Sequence, residues 1–224
     1  LTATAACLET LQNHWNRPGS DAGNRELVTV ALRNTHNAAR LVRSLGDLAQ
    51  LDEPAFTLRT SGLDMAELLN DVAMRFASRA SAHGVALEAE EPDGPVVAVV
   101  DNELLERALA NLVDNALKFC PAGGRITLTT AFRPGVSVVV PTSAQRVALP
   151  FEVGILDNGP GIPDHLMPHL FEPFVTSKAS GTGLGLALVA KVVSDHGGVI
   201  ECERLKGQTL FRILLPMQDR KSVV

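Results

Sequence analysis

The chain has 224 residues, 46% hydrophobic and 20% charged, an ordinary globular composition whose length suggests one good-sized domain plus a smaller piece. A net charge of −5 leaves no basic footprint for nucleic acid and no polybasic run for an anionic membrane, and with eight Phe, one Trp and no Tyr there are few stacking platforms for single strands. Three cysteines without a CxxC pair suggest neither a zinc site nor a disulfide framework, and fit a reducing, cytoplasmic setting. The longest uncharged stretches, Pro134–Gln145 and Ala179–Ala190, fall short of the about 18–20 apolar residues that span a bilayer.

Residues 1–56 read as a helical hairpin. Leu27, Ala31, Asn34, Ala38, Leu41, Leu45 and Leu48 recur in alternating steps of four and three, the seam of a helix of about 30 residues that packs on other helices. Thr4, Leu8, Leu11 and Trp15 repeat the spacing on a shorter first helix, separated from the second by the turn-rich run Arg17-Pro18-Gly19-Ser20-Asp21-Ala22-Gly23. The mismatch in length implies that the first helix begins upstream of Leu1, and a start at Leu1 rather than Met is that of a fragment. Two such helices expose their seam, so a homodimer forming a four-helix bundle is expected. Pro54 marks the boundary to a second domain, residues 57–224.

In that domain an amphipathic helix runs from Asp64, a candidate N-cap, to about Ala82, with Gly84 just beyond its end. Val85–Glu90 and Val96–Val100 read as strands flanking an Asp93-Gly94 turn, and Asp101 caps a second helix that ends near Cys120-Pro121. Ile126–Phe132, Val136–Val140 and Phe151–Leu156 read as strands, and Leu184–His196 as a helix closed by Gly197-Gly198. Val199–Arg204 and Thr209–Leu215 form a last hairpin around Lys206-Gly207-Gln208. The whole predicts an α+β protein: the dimeric helical bundle followed by a two-layer α/β sandwich with a helical layer on one face of a mixed sheet.

Three segments carry chemistry. On the second helix of the sandwich, Leu105, Leu109, Leu112 and Ala116 make the buried stripe, while Asn111, Asn115 and Lys118 share another face. A solvated face is the ordinary explanation for such a trio, but two poor helix formers one turn apart beside a Lys hint at a cation and a polyphosphate. Asp157-Asn158-Gly159-Pro160-Gly161 follows a strand. Alone it would be a plain turn; at the base of a cleft its acceptor-only carboxylate would take the amino group of adenine and reject the carbonyl of guanine, with Gly159 and Gly161 admitting the ring. Gly181-Thr182-Gly183-Leu184-Gly185-Leu186 opens a helix whose free N–H groups and positive dipole suit phosphate. It is neither a Walker A nor a Rossmann motif, and with the loop Phe171–Lys178 before it a flexible lid is the better description. His165 and His169 have the spacing of helical metal ligands, but Pro168 between them and the lack of an acidic third ligand argue against a metal. His36, His83 and His196 look like surface or cap residues.

Together Asn111–Lys118, Asp157–Gly161, Phe171–Phe174, Gly181–Leu186 and Gly207–Thr209 resemble the N, G1, F and G2 boxes and final strand pair of two-component sensor histidine kinases, which share the GHKL (Bergerat) ATP-binding fold. The stretch Asp157–Pro216 is most similar to nitrogen-regulation-type kinases with a short lid, and the hairpin resembles the dimerisation and histidine-phosphotransfer domain. The resemblance implies that Asn115 ligates Mg2+ with Asn111 beside it, that Lys118 meets the phosphates of ATP, and that Asp157 holds the adenine amino group with help from Gly161 and Thr209. Gly181, Thr182, Gly183, Leu184 and Gly185 would wrap the triphosphate and Lys178 would reach the γ-phosphate, whose transfer to a histidine precedes relay to a response-regulator receiver domain. The acceptor motif, His then an acidic residue and a nearby Pro-Leu, is not in the sequence. Leu1–Leu11 resembles the segment just after it, so the acceptor is expected shortly before Leu1, and neither His14 nor His36 stands in its place. Two alternatives are a GHKL ATPase of another class, disfavoured because Asn111 stands where hydrolytic members carry a water-activating Glu, and a signalling dimer that binds nucleotide without catalysis.

Overall fold

The computed structural model describes Cys7, Thr10 and residues 21–139, 146–176, 181–205 and 207–217. The predicted first helix apart from Cys7 and Thr10, and with it His14 and Trp15, lies outside these residues, as do Val140, Lys178 and Lys206. Helix α1 (Asp21–Leu51) is followed by β1 (Thr60–Asp64), α2 (Met65–Ala82), β2 (Ala86–Ala89), β3 (Val97–Asp101) and α3 (Asn102–Phe119). Then come β4 (Arg125–Phe132), β5 (Ser137–Val139), β6 (Arg146–Ala148), β7 (Phe151–Asp157), a 3-10 turn (Met167–His169), α4 (Gly185–Asp195), β8 (Val199–Leu205) and β9 (Gln208–Leu215).

Local signals place most of these elements. Asp64 Oδ1 accepts the Ala66 N–H and caps α2, which stops at His83 before Gly84 turns with a φ of 67°. Asp101 does the same for α3 by accepting the Leu104 N–H. The predicted turn at residues 17–23 is corrected at its end: Asp21, Ala22 and Gly23 belong to α1.

Five strands form the main sheet in the order β2-β4-β7-β9-β8. Only β2 and β4 are parallel; β7 pairs antiparallel with both β4 and β9, and β9 with β8. The strands on either side of Asp93-Gly94 do not pair with each other. Instead β3 pairs antiparallel with β1, a strand that alternation in the sequence does not announce, as Thr60-Ser61-Gly62 is polar and small. One face of the main sheet is dry: Ile126, Leu128, Val153, Ile155 and Ile213 meet Leu69, Val72, Leu105, Leu109, Leu112 and Val189 from α2, α3 and α4. The other face carries charge, with Arg212 bonded to Glu203 at 2.8 Å and near Glu201 and Glu152. The predicted two-layer sandwich is thus present.

The end of α1 is anchored to the sandwich. Leu51, beyond the predicted seam, is buried in the sandwich core, and Leu48 and Phe56 pack on it, so apolar contact continues across the boundary expected at Pro54. Lys191 on α4 bonds Asp195 at 2.8 Å and reaches Asp52 just past the end of α1 at 3.3 Å. Along α1, Ala31 is buried while Leu45 is 46% exposed, as are Val28, Leu32 and Val42 to similar or greater degree.

His196 is the cap expected of it but not a surface residue: it is 1% exposed. Its Nε2 accepts the Asp101 N–H at 2.9 Å and its Nδ1 lies 2.7 Å from the Val192 carbonyl, which requires the neutral tautomer protonated on Nδ1. The imidazole thereby joins the end of α4 to the start of α3. We predict that His196→Ala, which strands a buried N–H and opens a cavity, costs about 2–4 kcal/mol in urea denaturation; a loss within about 0.5 kcal/mol, the range of ordinary surface changes, would show the tie to be dispensable.

Candidate nucleotide site

A cavity of about 410 Å3 opens between α3, the segments after β7 and before α4, and the C-terminal half of α1. Its walls bring together Asn111, Asn115, Lys118, Asp157, Gly161, Gly181, Thr182, Gly183, Gly185 and Thr209, ten of the candidate residues, drawn from segments almost a hundred residues apart. Gly159 and Leu184 shape the site from behind. A Cβ on Gly159 would stand 2.7 Å from Asp157 Oδ1, and Leu184 is buried as the N-cap residue of α4. The floor is apolar, built from Ile162, Leu166, Leu170, Leu186 and Phe211, the lining a flat heterocycle needs.

Asp157 is the last residue of β7 and pairs across the ladder with Thr209 on β9 and Ile126 on β4. It is 5% exposed. Burial pushes its carboxyl above the ordinary value of 3.8, offset in part by the Gly159 N–H donating to Oδ1 at 2.8 Å. The neighbouring Asn158 does a different job, since its Oδ1 accepts the Arg125 N–H at 2.7 Å and a contact from Cys120 Sγ at 3.3 Å. The residue that looks like a turn former therefore staples the end of β7 to the start of β4. Burial, with Asp157 nearby, raises both adjacent thiols, Cys202 to about 12, so both are protonated at neutral pH.

Asn111 Nδ2 donates to the Arg107 carbonyl at 3.1 Å, which leaves its Oδ1 turned toward the start of α4, where a Cβ on Gly185 would come within 3.5 Å of it. That helix, with Leu184 as its N-cap residue, has no side-chain cap, and its first residues Gly185 and Leu186 line the cavity. Lys118 forms an ion pair with Asp114, which also accepts from Arg79 at 2.6 Å. Burial would raise the Asp114 carboxyl, but the hydrogen bonds from Lys118 and Arg79 outweigh it and hold it below its ordinary value. Lys118 lines the cavity as a paired cation.

Two glycines hold conformations a side chain would resist. Gly161 has a φ of 80°; Gly183 has 67°, and a methyl there would overlap the Phe174 backbone. Phe174 itself has a φ of 68°, donates its N–H to the Gly183 carbonyl at 2.9 Å and stays 64% exposed. The Phe171–Phe174 turn thus clasps the glycine-rich segment. Sequence reasoning missed Arg40, Arg43, Ser44 and Asp47 of α1 and Arg107 of α3 in the same lining, because helical periodicity marks only which residues avoid a core. His169 sits in the 3-10 turn and meets Glu172 at 2.8 Å, and among the described residues no group of three or more His, Cys, Asp or Glu is placed to hold a metal.

The family model for histidine kinase-, DNA gyrase B- and HSP90-like ATPases matches residues 100–219. The chain is 44% identical over 138 residues to the sensory histidine kinase/phosphatase NtrB of Rhizobium leguminosarum bv. phaseoli, a match covering 61% of this chain and 36% of that protein. It spans roughly a third of the length of the curated relatives it matches. Among solved structures it resembles the histidine kinase ThkA in complex with the response regulator protein TrrA (TM-score 0.73, 20% identity, 98% of this chain and 58% of that one) and full-length ShkA in complex with AMPPNP (0.68, 23%, 96% and 43%); at these identities the likeness is one of fold. Among the described residues, no helix is long and apolar enough to cross a membrane.

Because the Asp157 pKa is raised on folding, its ionisation works against the folded state: the stability it contributes is present below the ordinary value and lost as pH rises through the raised one. We predict that Asp157→Asn, which keeps an acceptor for the Gly159 N–H without the buried charge, raises the thermal midpoint of the nucleotide-free protein at pH 7, with the difference from wild type shrinking toward pH 4. Scanning calorimetry across that range checks it; equal midpoints at pH 7 would show that the charge carries no cost.

Proposed function

The chain belongs to the histidine kinase-, DNA gyrase B- and HSP90-like ATPase family, and from that premise we propose that it is the catalytic portion of a sensor histidine kinase, binding Mg-ATP for transfer of the γ-phosphoryl to a histidine. The observation that carries this is the meeting, in one cavity, of a buried acceptor carboxylate above an apolar floor with an uncapped helix start opposite two amides. One end suits adenine and the other suits polyphosphate.

Asp157 selects the base by accepting its amino N–H, and the ladder partner Thr209 closes that end. The glycines at 181, 183 and 185 let the backbone approach the phosphates, with the start of α4 donating N–H groups to them. Amide oxygens are hard donors, so Asn115, with Asn111 one turn away, fits magnesium carried in with its nucleotide rather than an all-protein cage. The ion supplies neutralisation of phosphate charge; what the chain contributes is positioning, the dominant requirement of phosphoryl transfer. Lys118 moves from Asp114 toward the phosphates in this account, and Lys178 reaches the γ-phosphate from the lid. The exposed stripe Val28, Leu32, Val42 and Leu45 supports homodimerisation through α1 into a four-helix bundle. The fold shared with a kinase solved beside a response regulator supports a receiver domain as the phosphate's destination, in a cytoplasmic reaction.

Asp157→Ala is expected to leave a folded protein and to cost about 1–3 kcal/mol of ATP affinity in calorimetric titration; unchanged affinity would remove the adenine assignment. For Asn115→Ala the gain in ATP affinity that magnesium gives the wild type should largely vanish. If wild type and variant respond alike to the metal, Asn115 is only a helix-face residue. Transfer itself is tested with γ-labelled ATP on a chain carrying the acceptor motif ahead of Leu1, where the label should survive alkali and be lost in acid, as a phosphoramidate is. Absence of label despite ATP binding would favour a non-catalytic signalling dimer.

A further inference from the structure

Arg40, Arg43, Ser44 and Asp47 lie at i, i+3, i+4 and i+7 on α1 and so share one face. That face closes the cavity on the side of Asn111 and the start of α4. Asp47 forms an ion pair with Arg107 of α3, and Arg40 donates to Asn37 at 2.6 Å. Arg43 stands close enough to Arg107 that its charge, after burial, helps to pull the Arg107 pKa below its ordinary value. The guanidinium groups of Arg40, Arg43 and Arg107 therefore line one cavity, where Asp47 pairs with Arg107, in a chain whose net charge is −5. Like charges held side by side at a cavity wall repel, and an anion between them relieves the repulsion.

We propose that Arg43 is a phosphate-binding residue supplied to the nucleotide site by α1, meeting the terminal phosphate oxygens of a nucleoside triphosphate jointly with Arg107. The proposal rests on the nucleotide reading of the cavity. A planar guanidinium offers two parallel N–H donors to a phosphate and keeps its charge at any working pH. The site is then built by both parts of the chain, and occupancy by a triphosphate favours the arrangement in which α1 lies across the cavity mouth. A nucleotide without terminal phosphates has nothing for Arg43 to hold, so it binds without reference to α1.

The test is calorimetric titration of the whole chain, as wild type, Arg43→Ala, Arg43→Lys and the control Arg33→Ala on an exposed part of α1 outside the cavity, with Mg-ATP and with AMP. Arg43→Ala should weaken Mg-ATP about tenfold and leave AMP within about twofold, the difference expected from losing a charge-assisted hydrogen bond. Arg43→Lys should fall between, because the charge remains and the fork does not, and Arg33→Ala should match wild type with both ligands. The proposal is overturned if Arg43→Ala leaves Mg-ATP binding unchanged, or if ATP and AMP weaken equally, which would make Arg43 a shaper of the cavity. If the wild type binds neither ligand, the nucleotide reading itself falls and this proposal with it.

Discussion

Helix α3 has to be dry on one side and wet on the other, and the molecule is arranged around that requirement. Leu105, Ala108, Leu109, Leu112, Val113, Ala116 and Leu117 are all buried, while Arg107, Asn111, Asp114, Asn115 and Lys118 of the same helix line a cavity. A helix turning about 100° per residue can serve both faces only if neighbouring elements cover one and leave the other open. The sheet and α2 supply the cover. Helix α4 meets α3 edge to edge, tied by the bond from the Asp101 amide to His196, and so carries its own uncapped start to the open face. Packing and site geometry are therefore one problem, with a single helix as the shared term.

Asp157 lies on the opposite wall and shows the conflict between stability and binding in one side chain. A carboxylate at the end of a central strand, flanked by two protonated thiols, lies where burial disfavours its charge. The Gly159 N–H offsets part of that cost. What remains uncompensated is the capacity to accept from a ligand, since a charged acceptor deprived of water gains more from a new donor than a hydrated one does. Gly159 must be glycine here for a mechanical reason, as any side chain would press on the same oxygen.

The contact between α1 and the sandwich changes how the two parts relate. Leu51 enters the sandwich core and the Arg107–Asp47 and Lys191–Asp52 pairs join α1 to α3 and α4. These pairs are partly exposed, and ion pairs of that kind contribute little each. Beside these weak pairs the attachment rests on apolar contact, with Leu51 in the sandwich core and Leu48 and Phe56 packed against it.

Local chemistry made much of this legible from sequence. The caps at Asp64 and Asp101, the stripe on α3, the helix after Gly181–Gly185 and the strands now labelled β4, β7, β8 and β9 follow from side-chain period and turn residues within a few positions of each other, as do the amides and the carboxylate of the site. The sequence determined which residues form elements and which chemistry each short motif carries, because those depend on neighbours along the chain. Only the tertiary structure decided that β2 runs parallel to β4 while β3 turns to β1, that His196 is buried, that Phe174 clasps Gly183, and that Arg43 of α1 lines the same cavity as Asn111. All but the Phe174–Gly183 contact join residues far apart in the chain, and their pairing is set by which surfaces exclude water together, a property that no single segment holds.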